Sequence, residues 1–188
     1  MKFSFVERVD TPLFEATRGA WAHQIESNSD NVSESYYAAA LDFCGRVIAD
    51  CDKDPRSGCV SAVQEDGCPY AAALIIVTHA KHKSEVRMLD VYVQPDLNLA
   101  DSGPNYAALA WIAATAVVGC LELTYETYPA DQLKLHTAFP LDREFMASLT
   151  TAIFGVEELQ DHYQVSNAGN WLVVAKTQRD PPRLRLAD

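Results

Sequence analysis

The chain has little positive charge for its length of 188 residues. Its 15 Lys and Arg residues against 26 Asp and Glu residues give a formal net charge of −11. A negative field of this kind repels nucleic-acid phosphates and anionic membrane surfaces, so we expect neither as a general partner. The same field attracts amines, polyamines and basic proteins, or it serves only to keep the chain in solution.

From the sequence we expect no paired cysteines, no signal peptide and no membrane span. Five cysteines without a Cys-x-x-Cys or His–Cys cluster predict reduced thiols and a cytoplasmic location. The N-terminal stretch "MKFSFVERVD" is broken by Glu7 and Asp10 and does not fit a signal peptide. The uncharged run at 106–121 is too short and too rich in alanine for a membrane span, so we expect a buried central helix.

Motifs for phosphate loops, nucleophile elbows, zinc proteases and dinucleotide binding are absent too. His79 and His82 have no carboxylate or thiol at ligand spacing, so we expect no metal site. Together with Lys81, Lys83 and Arg87 they form a basic cluster that either meets a phosphate or acidic partner or is a solvated hairpin tip.

The periodicity of apolar residues predicts the order β-αα-βββ-α-β-α-ββ. Two helices are expected early, and Asp66-Gly67 predicts a tight turn between two strands. The apolar stripe of the first helix is Leu13, Thr17, Trp21 and Ile25, and that of the second is Tyr37, Leu41, Cys44, Ile48 and Cys51. A further helix is expected from Leu141 to the helix-ending Gly155. The order indicates an α/β fold of the α+β kind, a mixed sheet with helices on both faces. We predict a single domain at 1–177 and a loosely held tail at 178–188.

Two stretches carry a resemblance to a known family. The strand "LDVYVQP" at 89–95 has a Leu-x-x-x-Val-x-Pro ending, and Ala147 and Gly155 have the spacing of a late helix that precedes a strand. Together with the order of elements they are similar to the GNAT superfamily of N-acyltransferases. The resemblance implies acetyl-CoA, or another acyl-CoA, as co-substrate and no metal.

The resemblance also implies where such a cofactor lies. Two neighbouring strands would splay apart, and the pantetheine arm would lie between them, along Val91, Tyr92 and Val93. The loop at 96–106 would present amides to the diphosphate at the start of the next helix, where the helix dipole favours an anion. Those amides would come from Ser102, Gly103 and Asn105, and Asn98 would be a further cofactor-binding residue of the loop.

The phosphate loop departs from the family pattern. It is longer, has one glycine, and places Asn98 where Arg or Gln is usual. Asp96 and Asp101 add negative charge, and each carboxylate near a diphosphate opposes binding by roughly a kcal/mol or more. Pro104 removes a further donor from the first helical turn. Thr151 stands where many members carry the tyrosine that protonates the leaving thiolate.

The resemblance implies acyl transfer to an amine of a small molecule or a protein. The base would be Asp90, Glu85 or a water chain. By strict alternation Asp90 lies on the face opposite Leu89, Val91 and Val93, where it points into the splay or is an ordinary strand residue. The alternative is a catalytically silent GNAT-fold protein that acts as an acidic binding or inhibitory partner. A homodimer through the apolar helix is compatible with both.

Overall fold

The computed structural model describes residues 2–28, 30, 32–53, 58–97, 105–137 and 161–177. The helices there are α1 (Thr11–Ser27), α2 (Glu34–Lys53) and α3 (Tyr106–Leu123). The strands are β1 (Phe3–Val6), β2 (Cys59–Glu65), β3 (Ala71–Ala80), β4 (Glu85–Val93), β5 (Gln132–His136), β6 (Tyr163–Ala168) and β7 (Trp171–Lys176).

Within the described ranges the strands form one sheet in the order β1-β2-β3-β4-β5-β7-β6. Neighbouring strands are antiparallel except β4 and β5, which are parallel. A parallel pair needs a crossover connection, and α3 lies in the chain between these two strands. The predicted mixed sheet is therefore confirmed.

Helices cover both faces of the sheet, as the continuously apolar sequence of β3 predicts. On one face α3 packs in a core with alternate residues of β3, including Ile75 and Val77. On the other face α1 and α2 pack against Leu74 and Ile76. The composition of α3 would suit a membrane span, but 61% of that helix is buried inside the protein. Its apolar character therefore reflects its place in the core.

Helix α1 begins at an N-cap, where the Asp10 carboxylate accepts a hydrogen bond from the Leu13 amide at 2.9 Å. Its buried stripe contains Thr17 and Trp21, as the spacing predicts, but the first buried residue is Phe14. The Trp21 indole donates to the carbonyl of Ala71 at 3.0 Å. Side-chain hydrogen bonds thereby join α1 to the start of β3.

Helix α2 buries the predicted stripe, and the hairpin turn between β2 and β3 lies where Asp-Gly predicts it. Gly67 has a φ of +84°, a conformation that favours glycine. The helix predicted from Leu141 to Gly155 and the tail at 178–188 lie outside the described residues. The single domain at 1–177 stays a prediction.

Candidate functional site

Strand β4 contains a β-bulge. Asp90 pairs with Ile76 and Met88 with Val77, so Leu89 has no partner residue on β3. The extra residue reverses the alternation of the strand: Met88 and Val91 both pack in the α3 core, whereas Leu89 packs on the α1–α2 side. Our expectation that Leu89 shares a face with Val91 and Val93 was wrong for this reason.

The parallel pairing of β4 and β5 ends at the bulge. The ladder joins Glu85–Met88 to Gln132–Leu135 and stops there. Beyond it Thr137 turns towards β7, because its amide donates to the carbonyl of Asn170 at 2.9 Å and its hydroxyl to the same oxygen at 3.2 Å. Strand β5 ends one residue later, at His136, so in the described part of the chain it leaves the second half of β4 unpaired, and we call this loss of pairing the strand separation.

Polar backbone groups of β4 face this gap. The amide of Gln94 donates to the carbonyl of Ala72 on the β3 side. In an antiparallel ladder the direction alternates, so Val91 and Val93 direct N–H and C=O away from β3. Strand β5 does not pair with them, so these groups form an open edge as far as the described residues are concerned. An extended ligand with amide groups can add to an edge of this kind.

The start of α3 is joined to the segment that follows β4, and Asn105 caps the helix. The Asn105 side chain accepts a hydrogen bond from the Ala108 amide at 3.1 Å. Its own amide donates to the carbonyl of Leu97 at 3.2 Å, so that donor is already used. The amides of Tyr106 and Ala107 have no acceptor in the part of the chain that the structure describes. Asn98, Ser102 and Gly103 lie outside that part, and their binding roles stay predictions.

Asp96 is anchored to α1. Its carboxylate accepts a hydrogen bond from the Asn28 side chain at 3.0 Å, and its amide donates to the Gln24 side chain at 3.3 Å. These hydrogen bonds hold the Asp96 carboxylate in place, so its negative charge remains near the start of the loop at 96–106.

Asp90 is exposed on the α1–α2 side, beside aromatic rings. Tyr36 of α2 lies edge-on to Tyr92, with ring centroids 6.2 Å apart, and is 51% exposed. Burial, and next the Asp90 carboxylate, raise the pKa of Tyr92 to about 12 and that of the Cys44 thiol to about 12. The negative charge of Asp90 thus disfavours loss of the proton from both the Tyr92 hydroxyl and the Cys44 thiol. Sequence reasoning missed Tyr36, whose place is set by packing between α2 and β4.

Glu85 lies at the other end of β4 and is 4% exposed. Its carboxylate pairs with Arg87 at 2.7 Å and with Lys134 at 2.6 Å, and it accepts a hydrogen bond from Gln132 at 3.2 Å. Burial alone would raise the pKa of Glu85, but the bonds from Lys134 and Arg87 outweigh it and lower the pKa. A carboxylate held in this way is a poor proton acceptor.

The basic cluster predicted around the β3–β4 turn is not continuous, because Arg87 pairs with Glu85 on the sheet. The His79 ring packs against Tyr128 with centroids 5.3 Å apart. With Arg8 and Lys81 it lines a cleft of about 540 Å³ at the end of the sheet remote from the strand separation. Among the described residues, no three His, Cys, Asp or Glu side chains come together in a group that could hold a metal ion.

Comparison with known proteins gives a likeness in structure alone. No protein-family model and no curated protein matches the chain. The microcin C7 self-immunity acetyltransferase MccE, solved with acetyl-CoA and AMP, matches with a TM-score of 0.50 and 5% identity over 88% of each chain. The N-acetyltransferase PseH of Campylobacter jejuni, solved with acetyl coenzyme A, matches at 0.48 and 12% identity, over 94% of this chain and 99% of that one. The Escherichia coli ribosomal-protein-S18-alanine N-acetyltransferase matches at 0.44 and 11% identity, over 98% of this chain and all (100%) of that one.

At such identities the likeness concerns the fold. The match to MccE, together with the seven-stranded sheet of the described residues, shows that the chain has the GNAT acetyltransferase fold. The fold predicted from "LDVYVQP" and from the order of elements is confirmed.

Proposed function

We propose that the protein transfers an acetyl or other acyl group from an acyl-CoA thioester to an amine. The observation that carries the proposal is the separation of β4 from β5 after Met88, in a fold shared with an acetyltransferase. The pantetheine arm would lie in the gap, bonded to the open backbone edge of Val91 and Val93. The side chain of Tyr92, between these two residues, lies on the α1–α2 face of the strand. The amides at the start of α3 would face the diphosphate.

Asp90 is the favoured base. Its carboxylate is exposed at the bulge, directly before the open edge, whereas Glu85 is held by two cations. In the proposed step the amine nitrogen attacks the thioester carbonyl, a C–N bond forms and the C–S bond breaks. The amine proton passes to Asp90, and CoA leaves as the thiolate, which is protonated from solvent. Backbone amides that hold the thioester supply positioning.

Thermal unfolding with acetyl-CoA tests this proposal. A ligand present at a hundred times its dissociation constant, and bound only to the folded state, adds about 2.7 kcal/mol. For a domain of this size that corresponds to a rise in Tm of roughly 5–10 °C. Turnover is then followed as free thiol released from acetyl-CoA in the presence of an amine. The absence of a shift at millimolar acetyl-CoA would count against the proposal.

A second candidate is a catalytically silent GNAT-fold protein that binds a basic partner. The use of the Asn105 amide by Leu97 and the anchored Asp96 favour it, because both weaken the anion site. The net charge of −11 would attract the partner. A pull-down at low and at high salt is informative, since a partner held by charge is released as screening rises.

We propose a cytoplasmic location, an acceptor amine on a small molecule or a protein, and neither nucleic acid nor membrane as partner. A homodimer through α3 also remains a proposal. The exposure of Trp111 (45%) and Tyr106 (71%) on that helix supports it. Light scattering across a range of protein concentrations measures the mass directly.

A further inference from the structure

The carboxylate of Glu85 and the cationic groups of Arg87 and Lys134 come together on one face of the sheet. The carboxylate of Glu85 lies 2.7 Å from the Arg87 guanidinium and 2.6 Å from the Lys134 ammonium. Arg87 also donates from Nε at 2.9 Å, so its fork binds one carboxylate oxygen twice. We call these three side chains the cationic floor. Because Glu85 stays ionised, the cationic floor has a net charge of +1.

The register of the sheet places the cationic floor beside the proposed site. Arg87 pairs with Lys134 one step before the last pair of the β4–β5 ladder. Val86 and Leu133 pack in the α3 core, so the alternating residues Arg87 and Lys134 lie on the opposite face. Leu89 and Tyr92 pack on that same face. The cationic floor therefore borders the strand separation on the side that carries Asp90.

The two cations are accessible and the carboxylate is not. The side chains of Arg87 and Lys134 are 28% and 22% exposed, whereas that of Glu85 is 5% exposed. The Arg87 guanidinium lies 5.8 Å from the centroid of the Trp171 ring, and His136 packs on Trp171 at 5.0 Å. Aromatic rings thus flank the cationic floor, and an incoming group meets positive charge first.

Neutralising Glu85 does not require two cations. The doubly bonded Arg87 already does so, and a second half-buried cation is held away from water at a cost in solvation. The surplus charge is found in a chain whose net charge is −11. Positive charge on partly buried side chains attracts an anion more strongly than the same charge in open solvent.

We propose that the cationic floor binds an anionic group of the acyl acceptor, so that the acceptor is an amine that also carries a carboxylate or a phosphate. This inference rests on the proposed acyltransferase function. The acceptor amine would lie near Asp90, three residues further along β4, which is about 10 Å or less of strand. The acid and the amine are therefore expected at opposite ends of the acceptor rather than on one carbon.

Matched pairs of amines test the inference on protein that gives a thermal shift with acetyl-CoA. The pairs are β-alanine and β-alaninamide, 4-aminobutanoate and 4-aminobutanamide, and phosphoethanolamine and ethanolamine. The third pair distinguishes phosphate from carboxylate. Rates are expressed per unprotonated amine, because the acidic group alters the basicity of its neighbour. We expect kcat/KM at least about tenfold higher for the acidic member of one pair or more, through a lower KM.

Lys134→Gln and Lys83→Gln each remove one positive charge, the first inside the cationic floor and the second away from it, and comparing them sharpens the test. Lys134→Gln should reduce the preference for the acidic member about tenfold through KM, and Lys134→Arg should retain it. Lys83→Gln, on the exposed turn between β3 and β4, should leave the preference intact. Equal use of both members of every pair, including use of neither, overturns the inference. The absence of an acetyl-CoA shift instead overturns the proposed function on which it rests.

Discussion

The ring of Phe5 on β1 lies directly against Gly119 of α3. A Cβ atom built on Gly119 would stand 2.1 Å from Phe5 Cγ, far inside van der Waals contact. The hydrogen of glycine is what lets the edge strand rest on the central helix. Gly19 of α1, in contrast, has no atom within 4 Å of such a Cβ.

Gly119→Ala should therefore destabilise the protein, and Gly19→Ala should not. The first substitution forces the Phe5 ring aside, which costs about 1–3 kcal/mol in a packed core. The second gains helix propensity, roughly 0.5–1 kcal/mol. Urea unfolding of both variants measures the free energies of unfolding. Equal effects of the two substitutions would contradict the close packing of β1 on α3.

Thr17 of α1 bridges the helix and the sheet. Its buried hydroxyl donates to the carbonyl of Leu13 at 2.8 Å and accepts from the amide of Ala71 at 3.0 Å. Thr17→Val keeps the shape but leaves the Ala71 amide without an acceptor, which costs about 1–3 kcal/mol. Urea unfolding measures the loss, and the exposed Thr127→Val provides the control, expected within about 0.5 kcal/mol of the parent.

The ion pairs of Glu85 predict a dependence of stability on pH. Because its folded pKa is lowered, Glu85 contributes stability that is fully present above the unfolded pKa and is lost as pH falls through the folded pKa. Glu85→Gln should cost roughly 2 kcal/mol at pH 7, since it leaves two partly exposed cations without their partner. The difference from the parent should shrink as the pH is lowered below about 4.5.

Thermal unfolding of Glu85→Gln and of the parent across that pH range measures the difference. Glu26→Gln is the matched control, because Glu26 is exposed on α1 and forms no ion pair with the other described residues. A loss of stability that stays constant from pH 7 to pH 3 would show that the charge of Glu85 does not matter.

Asp90→Asn tests the proposed base. A positioned general base contributes about 10²–10⁴ in rate, so we expect kcat/KM to fall about a hundredfold or more at neutral pH. The thermal shift with acetyl-CoA should be retained, because the open edge of β4 is backbone. Asp66→Asn, at the exposed β2–β3 turn, carries the same chemical change away from the site. Unchanged turnover in Asp90→Asn would remove Asp90 from the mechanism.

The sequence by itself determined the elements that depend on local pattern. The stripe of Tyr37, Cys44 and Ile48 fixed the buried face of α2, and the apolar run of β3 required helices on both faces of the sheet. The Asp66-Gly67 turn is local in the same sense. The order of these elements, together with the stretch at 89–95, resembles the GNAT superfamily, and it was this resemblance that implied the acetyltransferase fold.

Only the tertiary structure decided the chemistry of the candidate site. The bulge at Leu89 reversed the faces of β4, and strict alternation contains no sign of it. Arg87 meets Lys134 through a parallel register, and Asn28 meets Asp96 across 68 residues of chain. Such contacts are made between elements distant in sequence, so their partners are fixed by packing of the whole sheet. Local periodicity carries information about which face is buried, but not about which polar groups then face each other.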